Sequence, residues 1–461
     1  MYFEFLEGRF PAKEKSPFCL FHGGMMGVEQ RKGMGLWAAI SIGVGGMVGA
    51  GIFSILGAAS AIAGNALYVS FFIAGLVALL NAYSYAKLGV KYPTAGGPVE
   101  FLIRGFGNTI LSGGLNILLW VGYIFALALY ARAFGGYAVT FLPANSSSSW
   151  IGILGTGIVL LFVLLEFIGA RAVAAFESVN EFIKITILTL FAVIGYFSIK
   201  PQLLSLTRWP GTSHILFGAA LIFIAYEGFG LITNAAEDMR TPHKTLPKAL
   251  YLSIAIVILL YVSVSMNVVG HLSVAQIVKA QDYALAQAAV PFLGRVGFVV
   301  IVITALLSTA SAINATLYGG SNVSYMIARD GELPKVFERT VFREAKEGML
   351  ITAALVIVFL NTLPLDRIAL LGSGAFLLIY GSVNVAHLKL YKETKAKPLL
   401  IWTAILGDLA SFVVLTIYSL QKAPVTLWVL VGVVAFSFTL EWGYRTITRR
   451  DLKIRWVRRK N

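Results

Sequence analysis

The chain alternates between long apolar runs and short polar segments. Many runs are close to 20 residues long, the length at which an α-helix crosses the ~30 Å hydrocarbon core of a bilayer. They lack the strict two-residue alternation of a membrane β-strand. The pattern therefore predicts an all-α polytopic membrane protein. We predict twelve transmembrane helices, at residues 36–61, 66–90, 111–141, 149–169, 173–199, 214–236, 247–270, 293–321, 349–363, 367–388, 398–420 and 424–444.

Composition and charge agree with this class of protein. The 461 residues are 58% hydrophobic and only 13% charged, with a mean hydropathy of +0.80, so there are too few charges to cover a soluble surface. With both termini in the cytoplasm, 29 of the 37 lysines and arginines fall on the inner side of the predicted helices. This asymmetry is the positive-inside signature. The net charge of +15 therefore indicates orientation in the cell membrane and no nucleic-acid partner.

The sequence contains no pattern typical of a cofactor, metal or catalytic site. It has one cysteine, Cys19, and five histidines without ligand spacing, so we predict no metal and no cofactor. No nucleophile and base are paired in the sequence, and we predict that the protein is not an enzyme. The terminal segments are predicted to be a cytoplasmic tail at 1–33 and a basic cytoplasmic tail at 446–461.

Two of the predicted helices are interrupted. The first contains GVGGMVGAGIF (43–53), with five glycines within nine residues, and each glycine inside a helix costs about 1 kcal/mol relative to alanine. Close helix packing through small residues is one way to account for them. The other is an unwound stretch whose backbone groups line a polar cavity. The sixth helix contains FIAYEGFG (223–230), with a glutamate and two glycines between apolar flanks.

Paired interruptions are the best sequence indication of a transporter's substrate site. They predict two five-helix inverted repeats at 34–200 and 201–390, followed by two peripheral helices at 391–445. Two half-helices that meet at mid-membrane offer unpaired N–H groups at one helix end and freed carbonyls near the breaks. Such a site suits a zwitterion, and an α-amino acid is the obvious one.

Four stretches of the sequence are characteristic in combination: GGMVGAGIF (45–53), AYEGF (225–229), EDMRTPHKTLPKAL (237–250) and ASAINATLYGGSNVSYMIARDGELP (310–334). Together they resemble the amino acid–polyamine–organocation (APC) superfamily, and most closely its archaeal and bacterial proton-coupled, broad-specificity amino acid transporters. The resemblance implies the leucine-transporter-type fold, with ten core helices in two inverted repeats and two peripheral helices. The family usually carries Asn-Pro after the sixth helix. This chain has Thr241-Pro242 there, and we expect the loop still to start a helix.

The resemblance also implies positions for the substrate. Backbone N–H groups in the first break would hold the substrate carboxylate, and carbonyls in both breaks would take its amino group. The predicted substrate-binding residues are Met47, Gly49, Ala50, Gly51, Leu221, Ile224, Ala225, Tyr226 and Glu227. Small residues near the site favour neutral amino acids, whereas Glu227 leaves a cationic substrate open.

Lys184 lies in the fifth predicted helix and precedes fifteen residues without a charge, ITILTLFAVIGYFSI (185–199). By the resemblance, it matches the cation site of sodium-coupled relatives and faces Gly45 and Ser308. Burial disfavours the charged form of a lysine, so a buried lysine can lose and regain its proton. We therefore predict that Lys184, Gly45, Ser308 and Glu227 couple transport to protons.

The sequence leaves the roles of three charged residues open. Lys184 could instead reach the inner headgroups or form a structural (i, i+3) pair with Glu181. Glu227 could carry a proton, contact a cationic substrate or brace the sixth-helix break. Asp408 lies in a peripheral helix, and the sequence gives it no role.

The predicted function is secondary active transport of amino acids across the cell membrane. The expected mode is proton-coupled symport of neutral amino acids by alternating access. Exchange of one amino acid or amine for another is the alternative, followed by a transport-inactive amino acid sensor. The predicted partners are amino acids, protons and the lipid bilayer, and we expect a monomer or a homodimer.

Overall fold

The computed structural model describes residues 33–49, 51–94, 96–143, 149–168, 171–342 and 345–448, with the side chains left out at 167–168, 171–179, 340–342 and 345–346. Most of the predicted N-terminal tail, including Cys19, lies outside the described residues. The same holds for the basic tail from residue 449 onward and for the predicted site residue Ala50.

The described part of the chain is almost entirely α-helical. The helices are α1 (Leu36–Val48), α2 (Gly51–Ala63), α3 (Leu67–Lys91), α4 (Pro98–Phe106), α5 (Ile110–Ala138), α6 (Ser149–Ile168), α7 (Arg171–Tyr196), α8 (Thr212–Ile222), α9 (Leu231–Asn234), α10 (Pro242–His271), α11 (Val274–Ala280), α12 (Ala284–Arg329), α13 (Glu347–Thr362), α14 (Leu365–Leu390), α15 (Pro398–Lys422) and α16 (Pro424–Ile447). A 3-10 helix, Phe223–Gly230, joins α8 to α9. Two short antiparallel strands, β1 (Thr340–Phe342) and β2 (Ala345–Lys346), follow α12.

The prediction of an all-α polytopic membrane protein is confirmed. Each of the twelve predicted segments overlaps at least one helix. Nine helical runs in the described residues are long and apolar enough to cross a bilayer, and the apolar helix α13 is shorter, with 16 residues. The exact number of crossings and the inverted repeat stay predictions.

Several elements differ from the predicted pattern. The eighth segment was predicted at 293–321, whereas α12 extends beyond it at both ends and is bent at Gly294. Gly294 has a φ of +62°, a conformation that glycine adopts without steric cost. The short helices α4 and α11 were not predicted at all. A search for long apolar runs does not find helices of nine and seven residues.

Helix α5 lies at the centre of the protein. In its most apolar stretch 89% of the positions are buried, compared with 22% in each of α15 and α16. The sequence of α5 is apolar on all sides, which suits a helix that is surrounded by others. The peripheral position of α15 and α16 stays a prediction.

The start of α10 agrees with the expectation for the loop after the sixth predicted helix. Thr241 is the N-cap residue and Pro242 is the first residue of the helix. Proline suits this position because its φ is already helical and its missing N–H would have no partner there.

Asp408 anchors the peripheral helix α15 to the core. Its carboxylate accepts hydrogen bonds from Asn81 Nδ2 of α3 at 2.6 Å and from Asn384 Nδ2 of α14 at 2.8 Å. Asn384 also donates to Asn81 Oδ1 at 2.7 Å, and all three side chains are buried. A buried carboxylate needs such donors because desolvation is costly. The structure thus gives Asp408 a bracing contact that the sequence did not indicate.

Glu332 follows α12, outside the membrane-spanning helices, and is completely buried. Burial raises the pKa of the Glu332 carboxyl from its ordinary value of 4.5 to about 8. The hydrogen bond from Asn116 Nδ2, at 2.7 Å, lowers that pKa but does not cancel the effect of burial. Glu441 raises the same pKa through its negative charge, and Arg445 lowers it.

Candidate functional site

The first interruption separates α1 from α2. Helix α1 ends at Val48, Gly49 follows as its C-cap residue with φ −49° and ψ −53°, and α2 begins at Gly51. Met47 and Gly51 are both buried. The first predicted helix is thus two consecutive helices, and the N-terminal end of α2 lies inside the protein.

The second interruption is a 3-10 helix and not the unwound stretch that the sequence suggested. All eight residues of Phe223–Gly230 are buried, among them Ile224, Ala225, Tyr226 and Glu227. Leu221 is buried in the last turn of α8. A 3-10 helix forms tighter, less favourable hydrogen bonds than an α-helix, and its presence within a helix often marks a functional hinge.

The two interruptions cross each other backbone to backbone. A Cβ atom on Gly228 would lie 2.2 Å from the carbonyl carbon of Gly46, so no residue larger than glycine fits there without a shift of the backbone. A Cβ atom on Gly51 would lie 2.8 Å from the carbonyl oxygen of Ala225. The glycines of the first break therefore allow close contact with the second, in addition to interrupting the helix.

Hydroxyl groups from other helices satisfy the carbonyls of the first break. The Tyr261 hydroxyl of α10 donates to the Met47 carbonyl at 2.7 Å and lies 3.3 Å from the Ala225 carbonyl of the second break. Ser308 Oγ of α12 donates to the Val48 carbonyl at 3.0 Å. A single tyrosine thus joins the two breaks.

Helix α14 satisfies the second break in the same way. Ser373 Oγ donates to the Leu221 carbonyl at 2.8 Å and accepts from the Ile224 N–H at 3.1 Å, which bridges the change from α-helix to 3-10 helix. The Tyr380 hydroxyl donates to the Glu227 carbonyl at 2.9 Å. The backbone carbonyls of Met47 and Leu221, predicted to take a substrate's amino group, therefore already accept protein hydroxyls.

Two further predicted substrate residues, Tyr226 and Glu227, are buried in the 3-10 helix. The Tyr226 hydroxyl donates to the Phe71 carbonyl of α3 at 2.9 Å. The Glu227 side chain is only 3% exposed. Next to it in the 3-10 helix, the Phe229 ring stacks on that of Tyr380, with ring centroids 5.1 Å apart. The structure thus brings the predicted substrate residues of both breaks into one buried region, with Ala50 outside the described residues.

Lys184 is completely buried beside the first break. Its Nζ forms an ion pair with Glu181 Oε1 and lies 3.5 Å from the Gly45 carbonyl oxygen, the outer limit of a hydrogen bond. The (i, i+3) pair with Glu181 is therefore present. The Lys184 ammonium is buried and does not extend to the protein surface, as the snorkelling alternative would require. Ser308, which was also predicted to face Lys184, donates its hydroxyl hydrogen bond to the Val48 carbonyl instead.

Gly45 makes room for this ion pair. A Cβ atom at Gly45 would lie 2.7 Å from the carboxyl carbon of Glu181 and within 3.0 Å of both carboxyl oxygens. The carboxylate of Glu181 therefore packs directly against α1. Any side chain at this position would displace Glu181, and Lys184 with it.

Sequence reasoning missed the residues that hold the breaks from outside. Tyr261, Ser373 and Tyr380 each stand within an apolar helix, and each is almost fully buried. A buried hydroxyl in an apolar helix has to find a partner. That rule could have indicated them as candidates, although it would not have identified the carbonyls that they reach.

No metal site emerges among the residues that the structure describes. They contain no group of three or more histidine, cysteine, aspartate or glutamate side chains arranged to hold an ion. The buried region at the two breaks offers backbone groups, hydroxyls, aromatic rings and the Glu227 side chain as polar and aromatic groups, beside apolar side chains such as Leu221 and Ile224. Such a set suits an organic zwitterion by hydrogen bonding.

Comparison with known proteins agrees with the resemblance. A sequence profile described as amino acid permease matches residues 34–443. The chain is 38% identical to an uncharacterized protein of Methanocaldococcus jannaschii, over 91% of this chain and 97% of that protein. It is 36% identical to the inner membrane transport protein YbaT of Escherichia coli, over 88% and 96% respectively. It is 25% identical to the branched-chain amino acid permease BcaP of Bacillus subtilis, over 80% and 83%.

Proposed function

Because the chain belongs to the amino acid permease family of the APC superfamily, we propose that it is a proton-coupled symporter of neutral amino acids. Amino acid transport is the function class of this family, and the apolar helices make the chain a multi-pass membrane protein. Symport, proton coupling, the cell membrane as location and alternating access are parts of the proposal.

The observation that carries the proposal is the crossing of the two interrupted helices at Gly46 and Gly228. A continuous α-helix pairs all the backbone groups of its interior, whereas at these breaks the carbonyls of Met47 and Leu221 bond to side-chain hydroxyls and not within a helix. The buried N-terminal end of α2, at Gly51, suits a carboxylate because its N–H groups and helix dipole are positive. The carbonyls of Met47 and Leu221 suit an ammonium group. An α-amino acid carries both charged groups at this spacing.

The proposed architecture follows the family. We propose twelve transmembrane helices, with repeats at 34–200 and 201–390, two peripheral helices at 391–445 and both termini in the cytoplasm. The low burial of α15 and α16 supports the peripheral assignment. The positions of the breaks, in the first helix of each proposed repeat, support the division into repeats.

Proton coupling is assigned to Lys184. Its burial and its approach to the Gly45 carbonyl support this role, because an ammonium beside the first break can do there what a metal cation does in sodium-coupled relatives. Loss of the proton removes the charge and weakens the contact with α1. The protonation state of Lys184 would then bias which side of the membrane the site opens to.

The test is uptake by liposomes that contain the purified protein. A panel of amino acids is offered with a pH gradient, acidic outside, or with a sodium gradient, each imposed alone. We expect neutral amino acids to accumulate with the pH gradient only. Accumulation with sodium alone would overturn proton coupling, counterflow without any accumulation would indicate an exchanger, and binding without counterflow would indicate a sensor.

A pair of lysine variants tests the role of Lys184. Lys184→Ala is expected to abolish accumulation driven by the pH gradient. Lys200→Ala, which removes an exposed lysine just after α7, is the matched control and should accumulate substrate like the unmodified protein. Proton-dependent accumulation at the unmodified level in Lys184→Ala would remove Lys184 from the mechanism.

A further inference from the structure

The ion pair between Glu181 and Lys184 connects a buried group to a partly exposed one. The Lys184 side chain is completely buried, whereas that of Glu181 is 17% exposed. Glu181 also lies three residues nearer to the start of α7, the end that the predicted topology places at the cytoplasmic side. Of the two partners, Glu181 is thus the one that reaches the protein surface.

The two carboxyl oxygens of Glu181 differ in their partners. Oε1 accepts a hydrogen bond from Lys184, whereas Oε2 is buried without a hydrogen-bond partner among the described residues. A buried polar atom without a partner is costly, and in a native protein it requires a physical reason. Here the unpaired oxygen leaves Glu181 free to exchange a proton with a second partner besides Lys184.

We propose that Glu181 passes the coupling proton between Lys184 and cytoplasmic water. An N–H bond of the Lys184 ammonium breaks and an O–H bond forms on Glu181, which leaves a neutral amine and a neutral carboxylic acid. Glu181 then gives its proton to water and becomes a carboxylate again. The first transfer creates no net charge, which favours it in a low-dielectric interior. This assignment rests on the proposed proton-coupled function and adds the route by which the proton leaves.

Among the described side chains, the helices around the pair provide no competing ion pair. Helix α1 has no titratable side chain. Helix α12 contacts α1 through the hydroxyl of Ser308, which is not titratable in this range either. Helix α10 meets α7 further along, where Asn267 donates to the Ala192 carbonyl at 3.0 Å. In the described part of the chain the only ion pair of either partner is the one between them. On α7 itself, Glu177 precedes Glu181 by about one helical turn in the sequence.

The pair is also in contact with the first break. The Glu181 carboxyl packs against Gly45, and Lys184 Nζ approaches the carbonyl of the same residue. Transfer of a proton within the pair therefore changes the charge distribution beside α1. Since α1 leads directly into the predicted substrate site, the state of the pair and the geometry of the break are physically coupled.

The test is Glu181→Gln, which keeps the shape of the side chain and removes the titratable group. Glu100→Gln is the matched control, because Glu100 also pairs with a cation on its own helix, Arg104 at 2.5 Å. Liposomes are assayed for counterflow, for accumulation driven by a pH gradient, and for substrate-dependent proton entry with an enclosed pH dye. We expect Glu181→Gln to lose accumulation and proton entry far more than counterflow, and Glu100→Gln to lose none of them.

The outcomes separate this inference from the proposed function. If the unmodified protein shows no accumulation with a pH gradient, the proposed function fails. If the unmodified protein accumulates substrate, Lys184→Ala does not, and Glu181→Gln still does at the unmodified rate, only the proton route through Glu181 is overturned.

A second variant decides the matter if Glu181→Gln is not recovered folded. Glu181→Asp keeps the carboxyl but shortens its reach to Lys184. A shifted pH profile of accumulation supports the relay, because the proton-transfer step has changed. A profile of unchanged shape, with only a lower rate at every pH, is the result of a structural role and would overturn it.

Discussion

Replacement of Gly228 by alanine tests whether the two breaks depend on their backbone crossing. The new Cβ atom would lie 2.2 Å from the carbonyl carbon of Gly46, 2.5 Å from its oxygen and 2.5 Å from the amide nitrogen of Met47. Ordinary van der Waals contact begins at 3.4 Å, so the two segments would have to separate by about 1.2 Å. All three atoms belong to the backbone, and no side chain can rotate away to make space.

The expected cost can be isolated by a matched substitution in the same 3-10 helix. Overpacking of this kind costs about 1–3 kcal/mol. A Cβ atom at Gly230 would meet the Tyr85 ring at 3.5 Å and the Tyr380 hydroxyl at 3.8 Å, both ordinary contacts. The gain of about 1 kcal/mol from replacing a helical glycine by alanine applies to both positions. The difference in the free energy of unfolding between Gly228→Ala and Gly230→Ala therefore measures the effect of the crossing alone.

The assay combines thermal unfolding of the purified proteins in detergent with amino acid counterflow in liposomes. We expect Gly228→Ala to unfold at a lower temperature than Gly230→Ala and to lose counterflow, because the displaced break no longer presents its backbone groups correctly. Gly230→Ala should keep counterflow at the level of the unmodified protein and unfold at a slightly higher temperature, because it has the gain of the alanine without the clash. Equal stability and equal counterflow in the two variants would refute the view that this crossing forms the site.

Three other predictions concern buried polar groups. Because folding raises the pKa of Glu332 from 4.5 to about 8, the contribution of Glu332 to stability is greatest below pH 4.5 and falls, by on the order of a few kcal/mol, as the pH rises to about 8. Thermal unfolding of the unmodified protein and of Glu332→Gln across this range should differ by this fall. Asp408→Ala removes one of the two acceptors of each buried amide, Asn81 and Asn384, at a cost of about 1–3 kcal/mol each. A melting temperature equal to that of the unmodified protein would contradict the bracing role. Tyr261→Phe removes the hydroxyl between the breaks and should cost about 0.5–1.5 kcal/mol in unfolding experiments, whereas Tyr196→Phe, at an exposed position, should cost nothing.

The sequence predicts the helices well because a bilayer leaves few alternatives for a long apolar run. It also predicts where two of them break, since glycines at 43–51 and the charged residue Glu227 disfavour a continuous apolar helix. It does not predict which glycine of one break meets which glycine of the other. That pairing of Gly46 with Gly228 depends on the packing of segments about 180 residues apart.

The same limit applies to the polar partners. A serine in an apolar helix, such as Ser373, indicates that a hydrogen bond exists but not that it reaches Leu221. The pair of Glu181 and Lys184 could be considered from the sequence because residues at i and i+3 are neighbours on any helix. Local contacts could thus be predicted, whereas contacts between helices required the structure.

The hydroxyl partners of the breaks lead to a consequence for substrate binding. The Met47 carbonyl is held by Tyr261 of α10, and the Leu221 carbonyl by Ser373 of α14. An ammonium group that donates to either carbonyl has to share it with the hydroxyl or displace it. Each of these bonds contributes only about 0.5–1.5 kcal/mol net, so the exchange is close to neutral in free energy. Where the ammonium displaces the hydroxyl, binding would loosen the contact of α10 or α14 with the breaks. Under the proposed alternating-access transport, this is a direct way for an amino acid to free these helices to move.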